Sequence, residues 1–396
     1  MSETQKHTKP NVPNLRFPGF SDGWKEIQLH HLGVIVGGGT PDTSYKEYWN
    51  CGSIQWFTPS EVGKEKYVSL SERQITASGL QNSSAKLLPA GSILLSSRAT
   101  VGECSINLAE CCTNQGFQSF IPNKSIVGTE FLYYRLQTLK RVFIRKACGS
   151  TFLEISASQI AKIWSFIPQE KEQNKIASFL SLIDQRIALQ NKVIEDLRTL
   201  KKAIMARLFH SSDGEMKTLG DLTVNFSNRN KQRIPYPMFS VTNDKGFIPQ
   251  SEQFEDREME GEDIAAYKLI QAGDIAYNPA RINVGSIAQY KGKTTCMISS
   301  LYVCIQAKRT VSDRWLMHIL KSERLLYYYN LYAEGGVRLY LFYPNFSRIK
   351  VFVPPYAKQE RIADCLDAIE KKVEQESVLL NDLMKQKQFF LSRLFL

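Results

Sequence analysis

Long apolar runs are missing from this sequence. The longest, Leu32 to Gly39, falls far short of the roughly 18 residues that suggest a membrane span. Met1 to Asn14 are polar and contain no hydrophobic signal region. The expectation is a cytoplasmic protein with no membrane partner. Histidine is scarce, five in 396 residues, and His7, His30, His31, His210 and His318 show no zinc-ligand spacing. The eight cysteines are Cys51, Cys104, Cys111, Cys112, Cys148, Cys296, Cys304 and Cys365, with no C-x-x-C pair among them. They are expected as reduced, buried small hydrophobes rather than ligands or nucleophiles. Catalytic signatures are missing too. Asn278-Pro279-Ala280-Arg281 comes nearest to the N-P-P-[YF] run of an adenine methyltransferase and departs from it at the last two positions. Gly292-Lys293-Thr294 supplies the second half of a P-loop, but Ile287 stands where its first glycine belongs. No G-x-S-x-G element occurs. These gaps predict a chain without catalytic residues, metal site or cofactor site of its own.

What is present is ordinary globular composition, 43% apolar and 22% charged, enough chain for two or three domains. Fifty basic residues against 39 acidic ones leave a net charge of +11, which favours a polyanionic partner, nucleic acid before membrane.

The dominant signal is an internal repeat. Phe166 to Phe209 aligns without a gap on Phe352 to Phe395, at an offset of 186 residues. Pro168, Gln173, Ile176, Ala177, Leu180 and Ile183 meet their identical counterparts Pro354, Gln359, Ile362, Ala363, Leu366 and Ile369. Asp196-Leu197 matches Asp382-Leu383, and Arg207-Leu208-Phe209 matches Arg393-Leu394-Phe395. Each copy predicts one long helix after a proline that ends the preceding strand. The first apolar seam holds Ile176, Leu180, Ile183, Ile187, Ile194, Leu197, Ile204 and Leu208. The second holds Ile362, Leu366, Ile369, Val373, Leu380, Leu383, Phe390 and Leu394. Polar residues interrupt both seams at the same places, Gln190/Glu376 and Lys201/Lys387. A seven-residue period held this long predicts a coiled coil, with the polar positions setting register or orientation.

The repeat continues outside the helices. Ala90-Gly91-Ser92-Ile93 with Arg98 and Val101-Gly102 matches Ala272-Gly273-Asp274-Ile275 with Arg281 and Val284-Gly285, with one residue inserted before the arginine; Gly149 and Gly335 keep the 186 offset. The expected organisation is an N-terminal tail (1–16), a globular domain (17–167), a long helix (168–210), a second globular domain (211–353) and a second long helix (354–396). Both globular parts carry short β-type runs punctuated by Gly, Pro and Asn. A helix of about 40 residues is roughly 60 Å long. A domain of about 140 residues, with a radius of gyration near 14 Å, does not easily return the chain that distance. Paired helices are therefore expected to run antiparallel. The fold class expected is α+β: two β-dominated globular domains at opposite ends of an antiparallel two-helix coiled-coil spacer, a pseudo-twofold object made from one chain.

Such an object suits two separated patches of one linear partner; on duplex DNA, sites about 34 Å apart lie on one face. Residues 170–209 carry a net +3 and residues 357–396 a net 0, so most of the excess charge lies in the globular parts and tails. Polar loops there offer candidate DNA contacts: Thr40, Arg98, Thr100, Asn114 and Gln115 in the first, and Thr242, Asn243, Lys245, Asn278 and Arg281 in the second. Arg suits guanine and Asn or Gln adenine, while Lys and Thr more often hold phosphates. For any one loop an ordinary turn competes with this reading. For Arg98 and Arg281 a salt bridge or a carbonyl clamp beneath the loop is the alternative, and Gly37-Gly38-Gly39 suits a phosphate cradle only weakly and a tight hairpin turn better.

In this order and duplicated, the motifs resemble the specificity (S) subunits of type I restriction–modification systems. The residues that carry the resemblance are Leu15-Arg16-Phe17-Pro18-Gly19-Phe20 with Trp24, then Gly38-Gly39-Thr40-Pro41, then Ala90-Gly91-x-Ile93 with Ser97-Arg98. Thr113-Asn114-Gln115-Gly116-Phe117 and Phe166-x-Pro168 with Glu172-Gln173-x-Lys175-Ile176 follow. The second copy has Asn345-Phe346 and Pro354-Pro355 with Lys358-Gln359-x-Arg361-Ile362, where Lys358 replaces the usual Glu. The resemblance implies that each globular part is a target-recognition domain for one half of a bipartite duplex DNA sequence. It implies helices that act as a ruler and dock two methyltransferase (M) subunits, which restriction (R) subunits then join. S-adenosylmethionine, ATP and Mg are implied on those partners, not on this chain. The other reading is a coiled-coil scaffold that never reads DNA. Inserting one heptad after Gln190 is expected to lengthen the gap between half-sites or abolish activity. An unchanged gap, mapped from cellular DNA methylation, would show that the helices do not set it.

Overall fold

The computed structural model describes residues 11–149, 153–208, 213–250 and 264–396, and Leu208 without its side chain. The first ten residues of the expected tail, Phe209, His210 and the seam position of Leu208 therefore lie outside what is described. The chain divides into two units: residues up to Asn191 together with Val378–Leu396, and Lys192–Ser377.

In the first unit, strand Lys25–Gln28 pairs antiparallel with Trp164–Ile167, so the start and end of the globular part are stitched together. Between them lies a five-stranded sheet, in the order Gly33–Gly37, Gln118–Pro122, Ile93–Leu95, Cys104–Asn107 and Tyr67–Val68. A three-stranded sheet joins Arg73–Ile75, Ile54–Phe57 and Cys111–Thr113. Ile93, Leu94 and Leu95 are buried in succession, as expected of a central strand covered on both faces. The second unit repeats the plan. Glu215–Thr218 pairs with Lys350–Val353, and a four-stranded sheet runs Thr223–Phe226, Val303–Ala307, Ile275–Tyr277, Ile287–Gln289.

Each closing strand delivers the chain through proline into a long helix, α1 (Glu170–Leu208) and α2 (Tyr356–Arg393). A buried glutamine clamps each entry. The Gln173 amide donates to Pro168 O (3.0 Å) and Ile126 O (3.1 Å) and accepts from Gly128 N (3.0 Å). The Gln359 amide donates to Pro354 O at 2.8 Å and accepts from Ser312 N at 2.8 Å. The preceding position differs. Glu172, nearly buried, pairs with Arg16 at 2.8 Å, whereas Lys358 stands 3.6 Å from Asp213. The glutamate-to-lysine exchange has reversed the polarity of an ion pair at the helix start without removing one.

Within each unit, the two helices run antiparallel. In the first, Phe179 meets Phe390 edge-on, with centroids 4.8 Å apart, and Lys387 Nζ lies 2.7 Å from Asp184 Oδ1. In the second, Lys201 pairs with Glu370. Lys201 and Lys387 are the two shared lysine interruptions of the seam, and their acids occupy equivalent positions on the facing helix. The polar breaks are thus ion pairs that select orientation and register.

The seam residues divide by depth. Ile176, Leu180, Ile183, Ile194, Ile362, Leu366, Ile369, Leu383 and Leu394 are buried, while Ile187, Leu197, Ile204, Val373, Leu380 and Phe390 are only half-buried. Met205, outside the expected seam, is buried. Several seam residues face a head as well as the other helix. Ile176, Leu180 and Ile183 enter the first unit's core beside Phe131, Leu394 and Phe395, and Ile362 and Leu366 enter the second unit's core beside Trp315 and Met205. The opening motif has a structural use: Leu15 N donates to Arg393 O at 2.9 Å, and Trp24 packs edge-on against Phe131 and Phe395.

The cysteines correct one expectation. Cys104, Cys111, Cys112, Cys296 and Cys304 are buried, and burial pushes their thiols up to about 11 or 12. Cys51, Cys148 and Cys365 are exposed, Cys51 at a left-handed φ of 57° and Cys365 on the outer face of α2. Among the described residues no helix is long and apolar enough to cross a membrane.

Gln359→Leu strands the Ser312 N–H and the Pro354 carbonyl in the second unit. The expected loss is about 2–4 kcal/mol. Hydrogen exchange should show it in the second unit for Gln359→Leu and in the first for Gln173→Leu.

Candidate nucleic-acid interface

The first head gathers its candidate residues from three loops. The chain leaves strand Gly33–Gly37 through Gly38 and Gly39, which press against neighbouring backbone. A Cβ on Gly38 would fall 1.9 Å from Asn114 O, and one on Gly39 2.4 Å from Ala85 N. Neither glycine has a positive φ, so they supply space, not a hairpin turn or a phosphate cradle. Gly39 N–H donates to Thr113 O at 2.8 Å, and the Trp56 indole N–H to Gly39 O at 2.9 Å. This contact sets Thr40 beside the 113–117 loop, where its hydroxyl donates to Gln115 Oε1. Asn114 Oδ1 accepts from Gly116 N at 2.8 Å, an Asx turn that leaves the Gln115 side chain exposed.

The third loop joins these through Ser97 N–H, which donates to Gly116 O at 2.8 Å. Its Ala99 takes a left-handed φ of 58°, a conformation alanine rarely adopts. The Thr100 hydroxyl lies within donating reach of Ser96 Oγ at 3.1 Å and of Pro59 O at 3.3 Å. Arg98 Nε lies 2.8 Å from Glu154 Oε1, and both side chains stay partly exposed. Thr40, Arg98, Thr100, Asn114 and Gln115 therefore share one loop cluster, with Asn114 and Thr100 spending hydrogen bonds on the loops themselves.

The second head builds a cluster from the turn 242–246 and the loop 278–286. Thr242 Oγ1 accepts from Lys245 N and donates to Gly246 O, both at 3.2 Å, and Gly246 supplies the φ of 69° the turn needs. The Asp244 N–H, the Thr242 hydroxyl and the Lys245 N–H hold the Asp244 carboxyl below its usual range. Asn243 and Lys245 are exposed, and Asn243 Cβ lies 3.8 Å from where a Cβ on Gly285 would stand. Ser286 donates to Val241 O at 2.7 Å and ties the loop to the turn. Asn278 Oδ1 accepts from Ala280 N at 3.0 Å, again a turn-forming role. Arg281 is exposed, with no side-chain polar partner among the described residues.

Arg98 and Arg281, matched by sequence, do not occupy the same place. Ile155 N donates to Ser97 O at 3.1 Å, and Leu341 N, 186 positions on, donates to Pro279 O at 2.9 Å. Measured from this shared bond, Arg98 is the next residue and Arg281 the one after that. The inserted residue displaces Arg281, and Tyr340 stands where the first head has Glu154. The same comparison exposes a further repeated element, the backbone bridges Cys148↔Glu154 and Glu334↔Tyr340. The repeated Gly149 and Gly335 were their signal; both have strongly positive φ, 133° and 139°.

A cleft of about 590 Å³ lies in the second unit, lined by Phe239, Phe247 and Tyr290 and by Lys245, Lys291 and Arg314. On its wall His318, Asp367 and Glu370 present ligand atoms within 4.8 Å of one another. Arg314 and His318 already bond Asp367, and Lys201 pairs with Glu370, so the carboxylates are compensated by protein cations. Burial acts to raise the Asp367 carboxyl, but those hydrogen bonds outweigh it and hold it below its usual range.

A family model described as the type I restriction modification DNA specificity domain matches residues 21–199. The specificity subunit of the type I restriction enzyme MjaIX of Methanocaldococcus jannaschii is 36% identical over 181 residues, 44% of this chain and 41% of that protein. The EcoR124I/EcoR124II specificity subunit of Escherichia coli is 30% identical over 181 residues, 44% and 43% of the two. These matches span less than half the length of either relative. The EcoprrI specificity subunit of Escherichia coli is 21% identical over 86% of both chains. Residues 21–199 are thus similar to the type I specificity domain, and the chain is similar to type I specificity subunits. A solved S subunit from M. genitalium shares the fold across 97% of this chain and 99% of its own, at a TM-score of 0.58 and 16% identity. Within this specificity-subunit fold, the first loop cluster lies inside the matched domain and the second beyond it, where the internal repeat identifies it.

Gly39→Ala is expected to cost the first head about 1–3 kcal/mol, because backbone atoms block the new methyl. Urea unfolding followed by the fluorescence of the adjacent Trp56 measures it.

Proposed function

We propose that this chain supplies the DNA specificity of a type I restriction–modification complex and performs no chemistry itself. Each head reads one half of an asymmetric, bipartite duplex target, and α1 and α2 set the spacing. The outer faces of residues 170–209 and 357–396 dock two methyltransferase subunits, and restriction subunits join that core in the cytoplasm. S-adenosylmethionine, ATP and Mg belong to those partners. The observation that carries this reading is one scaffold built twice with different loops. The closing strands, the glutamine clamps and the Ser97/Pro279 backbone bonds recur, while the loop chemistry around Arg98 and Arg281 does not. A repeated scaffold with diverged loops suits two different half-sites. Thr40, Arg98, Gln115, Asn243, Lys245 and Arg281 present the side chains with hydrogen-bonding or charge capacity left for bases and phosphates, while Thr100, Asn114, Thr242 and Asn278 shape the loops.

The test is methylation mapping in cells expressing this chain with its methyltransferase subunit. A gapped, asymmetric methylated motif that vanishes without this chain is the expected result. No new methylation, with both proteins soluble and co-purifying, would favour the scaffold reading.

A further inference from the structure

The hairpin of the second head has properties that a structural loop does not require. Glu334 and Tyr340 exchange backbone hydrogen bonds of 2.9 and 2.8 Å, closing a five-residue tip, Gly335-Gly336-Val337-Arg338-Leu339. The tip is tightly turned: Gly335 has a φ of 139°, and a Cβ there would fall 2.0 Å from Arg338 O. Leu341 N–H anchors the hairpin to Pro279 O, in the loop that presents Arg281. The rings of Tyr340 and Phe342 stack 5.9 Å apart at its base. On this supported tip Val337 is 103% exposed, with Leu339 and Phe342 also exposed. Arg338 beside it is exposed and has no salt bridge among the described residues.

An aliphatic side chain held wholly in water on a closed turn forgoes all of its burial in the free protein. With Arg338 next to it, Arg281 on the loop it is anchored to, and neither arginine in a salt bridge among the described residues, its chemistry matches that of apolar wedges that enter between base steps while arginines lie along the groove. The first head is different at the corresponding place, because Glu154 engages Arg98 there.

We propose that the tip Gly335–Leu339 inserts into DNA at the half-site of the second head, with Val337 as the wedge and Arg338, with Arg281, on the flanking backbone. This rests on the reading of the chain as a DNA specificity subunit. The wedge unstacks one base step and makes the target's deformability part of its recognition.

The experiment uses the complex of the full chain with its methyltransferase subunits and a duplex bearing the mapped target. 2-Aminopurine is placed in turn at each base step of both half-sites. The wild-type complex is expected to raise the fluorescence at one step in the half-site of the second head. Val337→Ser should abolish that rise and weaken binding roughly tenfold, and Arg338→Ala should lower the salt slope by about one. Both positions are exposed, so folding is not at stake, and co-purification with the methyltransferase subunit controls for assembly. Unchanged fluorescence, affinity and salt slope in both variants would overturn the inference while leaving the DNA-reading function intact. Loss of co-purification in Val337→Ser would overturn it in favour of a protein contact. A wild-type complex that retains no target DNA would remove the underlying reading, and the inference with it.

Discussion

Everything in this molecule depends on how a long helix is joined to a β-rich head without fraying at the joint. Proline ends the closing strand and cannot donate, so the helix entry leaves a buried carbonyl and nearby backbone N–H groups in need of partners. One glutamine per copy supplies both sides. Gln173 and Gln359 donate to the proline carbonyl five residues back and accept from a backbone N–H in the head, Gly128 or Ser312. A carboxylate lacks the donor and an aliphatic side chain lacks both, which accounts for an identical residue at this point in each copy.

The second constraint is the pairing of the helices. A purely apolar seam leaves orientation and register open, since sliding by a heptad buries similar surface. Lys201–Glu370 and Lys387–Asp184 close that freedom, because an unpaired lysine in the seam carries a desolvation cost that only one register relieves. Asp184 is further held by the Tyr134 hydroxyl at 2.6 Å, so the ion pair is anchored to the first head as well as to the facing helix. Part of the seam merges with the cores of the heads, so the helices serve as core elements as well as partners of each other.

Within each unit the candidate interface follows from the packing of the loops. Backbone contacts, not side chains, draw the loops together: Gly38 and Gly39 against 113–114, Ser97 N–H on Gly116 O, Leu341 N–H on Pro279 O. Side chains on such loops are positioned by the scaffold and are free to vary, and the two heads differ there. Arg98 faces Glu154, while Arg281 sits one residue further along and meets no acid among the described residues.

The sequence by itself determined the duplicated plan, the two long helices, their polar interruptions and the loops that carry candidate contacts. Those features depend on local chemistry: proline at a boundary, apolar spacing of three and four, Gly and Asn at turns. Only the tertiary structure decided which of those residues spend their hydrogen bonds on the fold. Asn114 and Asn278 resemble base readers in a string of letters, yet each closes its own turn. The glycine run looked like a turn and proved to be a close backbone crossing, because the residues it must clear, Asn114 and Ala85, are more than forty positions away. The difference between Arg98 and Arg281 depends on Glu154 and Tyr340, again distant in sequence. Pairing across such separations is set by the packing of the sheets, which no local pattern records.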